Sequence, residues 1–322
     1  MLNTLDELRA LLRGTLLEGQ SVAVVPYPDP SESRFALAVT LNGLGRDSTT
    51  RQAAWQLLRE RLPDTGRWPV VTDWISASHS DAAFSAAVLD AELFDRFYFE
   101  EEDADGRVGD HPADIEALAA QVDPDQCDVS DPHEELLGTR SVEVEIEATR
   151  QRFGVAPHID DAAAFLAREG LGNWRELERW LLTWELQHAP EPLTLQANGL
   201  WYLQPYIAEH VNPAILLMPT TQGENTLAWM HFLGRCLPFN STCVIAHMRQ
   251  WRERYGAELR VHNNTHLELA VARPPTNIDE AFDVAWCHYM MAGEGLSDTC
   301  MSVREHARAL LYSHDWVLMQ GP

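Results

Sequence analysis

The chain has 322 residues, 45% of them apolar, enough to bury one large core or two modest ones and to exclude a disordered chain. Its formal charge is −25, a field that repels nucleic acid and anionic membranes and attracts basic partners. All 24 basic residues are Arg, so Schiff-base, P-loop and kinase-type lysine chemistries are excluded.

In chain order, a first helix is predicted over residues 4–17, with Leu5, Leu8, Leu12 and Leu16 on one stripe. Apolar strands follow at Val22 to Val25 and Phe35 to Leu41, with a turn-rich segment between them. Ser48 is placed to cap a helix running through Leu62, and Pro69 to Thr72 reads as another strand. Strands apolar on both faces with helices between them predict an α/β or mixed α+β fold, a central sheet covered by helices. Residues 1–99 form this first α/β part.

The composition changes at Glu100. Residues 100–135 hold 14 acidic residues against Arg107 alone, a net of −13, and read as a solvated, partly ordered connector. Helical patterns resume at Thr139 to Phe153, Asp160 to Arg168 and Asn173 to Gln187, completing an acidic and helical middle part over 100–190. The last of these helices carries Trp174, Leu177, Leu181 and Trp184 on one stripe.

Residues 191–322 read as a C-terminal α/β module. It opens with a strand at Ala214 to Met218 and a short helix around Thr226 to Leu233. A helix to Tyr255 buries Val244, Met248, Trp251 and Tyr255, and Gly256 ends it. A hairpin follows. Side-chain parity selects a three-residue loop, Asn263 to Thr265, which pairs Val261 with Leu267 and Leu259 with Leu269. That register sets His262 opposite His266 on the outward face, roughly 5 Å apart. Asn277 and Glu280 start the next helix. Ser302 and Glu305 form a capping box for the one after it, with Val303, Ala307, Leu310 and Leu311 buried. Asp315 to Gln320 closes as a strand.

Several segments of this module resemble the bacterial domain-of-unknown-function family numbered 4253. They are Trp251-Arg252-Glu253-Arg254-Tyr255-Gly256-Ala257, the strand Thr265 to Val271, and Arg273-Pro274-Pro275-Thr276 with Glu280-Ala281; Trp316 fits as well. The resemblance covers about residues 200–320 and departs from the family pattern at Trp286 to Glu294. It implies a mixed α/β fold and a bacterial intracellular protein, and it implies no activity.

The chain carries no Gly-x-Ser-x-Gly, His-Glu-x-x-His or Cys-x-x-Cys. His231, Cys236, Cys243 and His247 are too loosely spaced to read as a zinc set. Glu101, Asp103, Asp105 and Gly106 imitate half a calcium loop, but its twelfth position is Pro112. The five cysteines, at 127, 236, 243, 287 and 300, read as reduced thiols. With no signal-like N-terminus and no run of about 18 apolar residues, a cytoplasmic protein is expected.

The favoured function is a non-catalytic binding or regulatory protein, immunity-like in kind, whose acidic surface meets a basic protein partner. Glu101, Glu102, Asp103 and Asp105, with Arg249 and Arg252, are the candidate contact residues. No cofactor is expected on that reading. The alternative is a metal-assisted hydrolase holding zinc or another divalent ion on His262, His266 and Glu268.

Overall fold

Seven of the apolar runs become strands of one sheet. The computed structural model describes residues 1–27, 32–44, 47–73, 111–127, 139–169, 174–188, 213–230, 232, 241–263, 266–298 and 301–319. Its strands are β1 (Val22–Pro26), β2 (Phe35–Thr40), β3 (Trp68–Asp73), β4 (Pro213–Met218), β5 (Ala257–Asn263), β6 (His266–Val271) and β7 (Asp315–Met319). The sheet order is β1-β2-β4-β3-β5-β6-β7. Neighbours are antiparallel except β3 and β5, which run parallel at Val71 and Val261, so the fold is mixed α+β.

The nine helices of the description are α1 (Leu5–Leu12), α2 (Ser48–Glu60), α3 (Pro112–Ala119), α4 (Thr139–Phe153), α5 (Ile159–Glu169), α6 (Trp174–His188), α7 (Ser241–Tyr255), α8 (Ile278–Asp298) and α9 (Val303–Leu310), apart from single turns. The chain divides into two compact units. The first, residues 1–127, 202–273 and 314–322, holds the whole sheet with α1, α2, α3 and α7; the second, 128–201 and 274–313, holds α4, α5, α6, α8 and α9.

In the sheet unit, β4 is buried at every position, as its unbroken Ala-Ile-Leu-Leu-Met run requires. Helix α7 lays Trp251 and Tyr255 edge-on against Trp316 of β7, with ring centroids 5.9 and 5.4 Å apart. Gly256 ends it at φ +62°, where a side chain is strained. Arg67 is buried and donates to the carbonyls of Leu2, Phe35 (2.6 Å) and Leu217 (3.2 Å), tying the N-terminus to β2 and β4. Burial lowers its pKa to about 10.

Three local expectations change. Helix α1 stops at Leu12, and Leu16, beyond it, is exposed. The cap of α2 is Asp47, one residue earlier than expected, accepting from the Thr50 amide at 2.9 Å. A carboxylate there answers both the unpaired amides and the positive helix end. Leu311 lies past the end of α9 and is only half-buried, while the Ser302/Glu305 capping box forms as expected.

The short helix expected near Thr226 is a 3₁₀ segment at Gly223–Ala228. A Cβ at Gly223 would sit 2.5 Å from the Trp68 ring, whose Nε1 donates to the Leu259 carbonyl at 3.0 Å. Gly223→Ala is expected to destabilise by about 1–3 kcal/mol through overpacking, read as a lower urea midpoint.

The hairpin carries the largest correction. Leu259 does pair with Leu269, but Val261 pairs with Glu268, His262 with Leu267 and Asn263 with His266. The register slips between Leu259 and Val261, so Arg260 is the extra residue of a β-bulge. A bulge resets parity partway along a strand, and an alternation count does not register it. Paired residues share a face. His262 therefore lies on the face of Leu267, and His266 lies on the opposite face with Glu268. Neither is on an outward face: His262 is 0% exposed and His266 8%.

Candidate functional site

The helical unit concentrates the buried charge. On α6, Glu178, Leu182 and Glu185 recur at helical spacing, and all three are buried. On α9, Arg304 and Arg308 share a face, and on α4 so do Glu145 and Thr149. These polar stripes lie beside an apolar cluster of Val142, Ile146, Ala162, Leu177 and Leu181.

Arg304, 2% exposed, sits at the hub. Its Nε donates to Glu185 at 2.9 Å, its Nη2 to Glu145 at 3.0 Å and its Nη1 to Glu178. Arg308 donates to the other Glu185 oxygen at 2.7 Å, and the Thr149 hydroxyl donates to Glu185 at 2.8 Å. Nearby, Arg152 pairs with Glu305 at 2.8 Å. Three guanidinium groups thus face four carboxylates, one negative charge in excess.

That excess falls on Glu178. Burial raises its pKa well above the usual carboxylate range; Arg304 opposes the shift and Glu145 adds to it. Its Oε2 receives no donor, so a proton there can be shared with Glu145. Burial works against the charge on Arg304, but the surrounding carboxylates outweigh it and hold its pKa above the ordinary value. Arg308 goes the other way, lowered chiefly by burial.

Two cavities open beside this network. One, about 240 Å³, is lined by Thr149, Arg152, Glu185 and Arg304 among others; the second, about 300 Å³, by Glu145, Trp174, Glu178 and Tyr289. Ala148, Ser302 and Glu305 line both. The arrangement can hold a proton or a small cation; it presents no nucleophile held by a base. In the same unit His288 Nδ1 and His306 Nε2 lie 3.0 Å apart, one ring donating to the other. Burial pushes the His306 pKa down to about 3.

The residues singled out for a metal do not converge. His262 Nε2 lies 2.6 Å from the Met230 carbonyl, which only accepts, so that nitrogen carries the proton. On the other face of the sheet, His266 Nε2 is 3.2 Å from Glu268. The second Glu268 oxygen faces Arg260 at 3.4 Å, and Arg260 also holds Asp315 at 2.7 Å. Among the described residues, no three His, Cys, Asp or Glu side chains are placed to hold a metal ion.

Of the contact candidates, Glu101, Glu102, Asp103 and Asp105 lie outside the described residues. Arg249 donates to the Ala119 carbonyl at the end of α3 (3.0 Å), and Arg252 pairs with the buried Glu224 at 2.6 Å. Both guanidinium groups are engaged within the sheet unit. The segment 111–127, part of the acidic stretch, is ordered there: α3 buries Pro112, Ile115 and Ala119, and Gln250 of α7 reaches Asp125 at 3.1 Å.

The Arg304 network leaves no motif in the sequence because its members lie on three helices, α4, α6 and α9, far apart along the chain. The signal that could have found it is the acidic Glu178 and Glu185 flanking Leu181 and Leu182 on a face otherwise read as core.

The fold and site define a mixed α+β protein with a charged core in its helical part. Residues 214–319 match the family model described as Domain of unknown function (DUF4253), confirming the C-terminal resemblance. No curated protein and no solved structure matches the chain. Among the described residues no helix is long and apolar enough to cross a membrane.

Proposed function

We propose that the protein is a binding or regulatory protein, without catalysis of its own, whose acidic surface takes a basic protein partner. The carrying observation is how the two charge signs are distributed. Arg260, Arg304 and Arg308 have side chains only 6, 2 and 5% exposed, held on internal carboxylates, whereas Asp6, Asp160 and Asp279 are 94, 86 and 83% exposed. Other arginines, such as Arg9 and Arg150, are exposed at 55 and 52%, but acidic residues outnumber basic ones by 25 over the chain, and residues 100–110 of the sequence carry six of them against one Arg. Immobilised chain is expected to retain a basic protein at about 0.05 M salt and release it by about 0.5 M, as screening shortens the reach of the field. Retention of no basic protein at low salt sinks the reading.

The excess carboxylate favours a second reading, a small organic monocation bound in the 300 Å³ cavity between Glu145, Glu178, Trp174 and Tyr289. Benzylamine is the probe, with benzyl alcohol as its neutral counterpart. Saturable binding of the amine alone, weakened at least tenfold by Glu178→Gln, is expected in calorimetry; equal binding of both probes removes this reading.

A further inference from the structure

Five cysteines without close spacing in sequence gave no reason to expect a pair, yet the fold of the sheet unit brings two together. Cys127 Sγ lies 2.9 Å from Cys243 Sγ across 116 residues of chain, and both are half-buried thiols. We propose that Cys127 and Cys243 form a redox-responsive dithiol site, closed to a disulfide by a low-molecular-weight disulfide, that fastens the acidic segment 111–127 to α7. This inference stands on its own geometry and does not depend on the partner reading.

Placement assigns the two sulfurs different parts. Cys243 is the third residue of a 15-residue helix, where free amides and the helix dipole favour a thiolate. The Cys127 thiol lies within hydrogen-bond distance of Cys243. Cys127 lies just past the turn Pro124–Gln126, and the segment 111–127 already rests on α7 through Arg249 and Gln250. To bond, the sulfurs must close by about 0.9 Å to the usual ~2.05 Å, a small motion for two side chains already in contact.

The chemistry balances as an exchange. The Cys243 thiolate attacks one sulfur of the external disulfide, forming a mixed disulfide and expelling a thiolate. Cys127 then gives up its proton, attacks the Cys243 sulfur and expels the second thiolate. Two protein thiols are oxidised, the external disulfide is reduced to two thiols, and the two protein protons end on those thiols.

The test treats the full chain with oxidised glutathione, followed by peptide mass mapping. The expected product is lighter by two hydrogens, with one cross-linked peptide pair containing Cys127 and Cys243 and no glutathione on either. Cys127→Ser is expected to trap glutathione on Cys243, and Cys243→Ser to react with glutathione at Cys127 at least tenfold more slowly. A wild-type chain that keeps both thiols, carries stable glutathione on either, or joins either to Cys236, Cys287 or Cys300 overturns the proposal, whatever the variants do.

Discussion

Arg304→Ala is expected to destabilise the protein by about 3–5 kcal/mol, read as a large drop in the urea midpoint. The guanidinium holds three carboxylates, and Glu178 and Glu185 are 1 and 2% exposed. Removing it leaves Glu185 with Arg308 and Thr149, but leaves Glu178 facing Glu145 with no cation donating to it. The loss is far more than a surface ion pair is worth, because a buried carboxylate is left without its cation. Glu178→Gln provides the contrast. It keeps the shape and supplies a donor to Glu145 without a buried charge, so a change under about 1.5 kcal/mol is expected. An Arg304→Ala protein as stable as wild type would show that the network does not support the helical unit.

Acid is expected to weaken the fold well before ordinary carboxylates titrate. Burial lowers the pKa of His306 to about 3 and that of His247 to about 4, from 6.5. Above pH 6.5 both rings are neutral whether the chain is folded or not, and their contribution is complete. Between pH 6.5 and about 4 the unfolded chain takes up protons that the folded chain refuses, so stability falls as pH falls. At pH 5 the cost is about 2 kcal/mol per ring, about 4 kcal/mol together. Glu178 acts with the opposite sign: its raised pKa makes the folded state lose stability as pH rises above 4.5, so it cannot produce the acid limb. Urea midpoints at pH 7 and pH 5 check this, and His306→Gln is expected to remove about half of the difference. A midpoint flat between those values would refute the assignment.

Much of the architecture was readable because it depends on local signals. The Ser302/Glu305 box fixed the start of α9, Gly256 fixed the end of α7, and the β4 run was buried as its composition implied. The candidate site was not readable, for two physical reasons. Arg260 inserts one residue into β5, so the two histidines that simple alternation sets side by side end on opposite faces. Glu178 and Glu185 occupy a core face that an apolar count passes over, and their neutralising arginine comes from more than a hundred residues away. Periodicity reports which side of a helix turns inward; it does not report whether the partner waiting there is a methyl group or a guanidinium.

The place of β4 in the sheet also sets the timing of assembly. It lies between β2 and β3, strands encoded within the first 73 residues, but is itself encoded at 213–218. A ribosome working at about 5–20 residues per second reaches it roughly 7–30 seconds after finishing β3. Through that interval the nascent chain exposes strand edges of high apolar content with their future neighbour not yet made. Chaperone dependence and losses to inclusion bodies during rapid expression are the expected cost of inserting an interior strand so late.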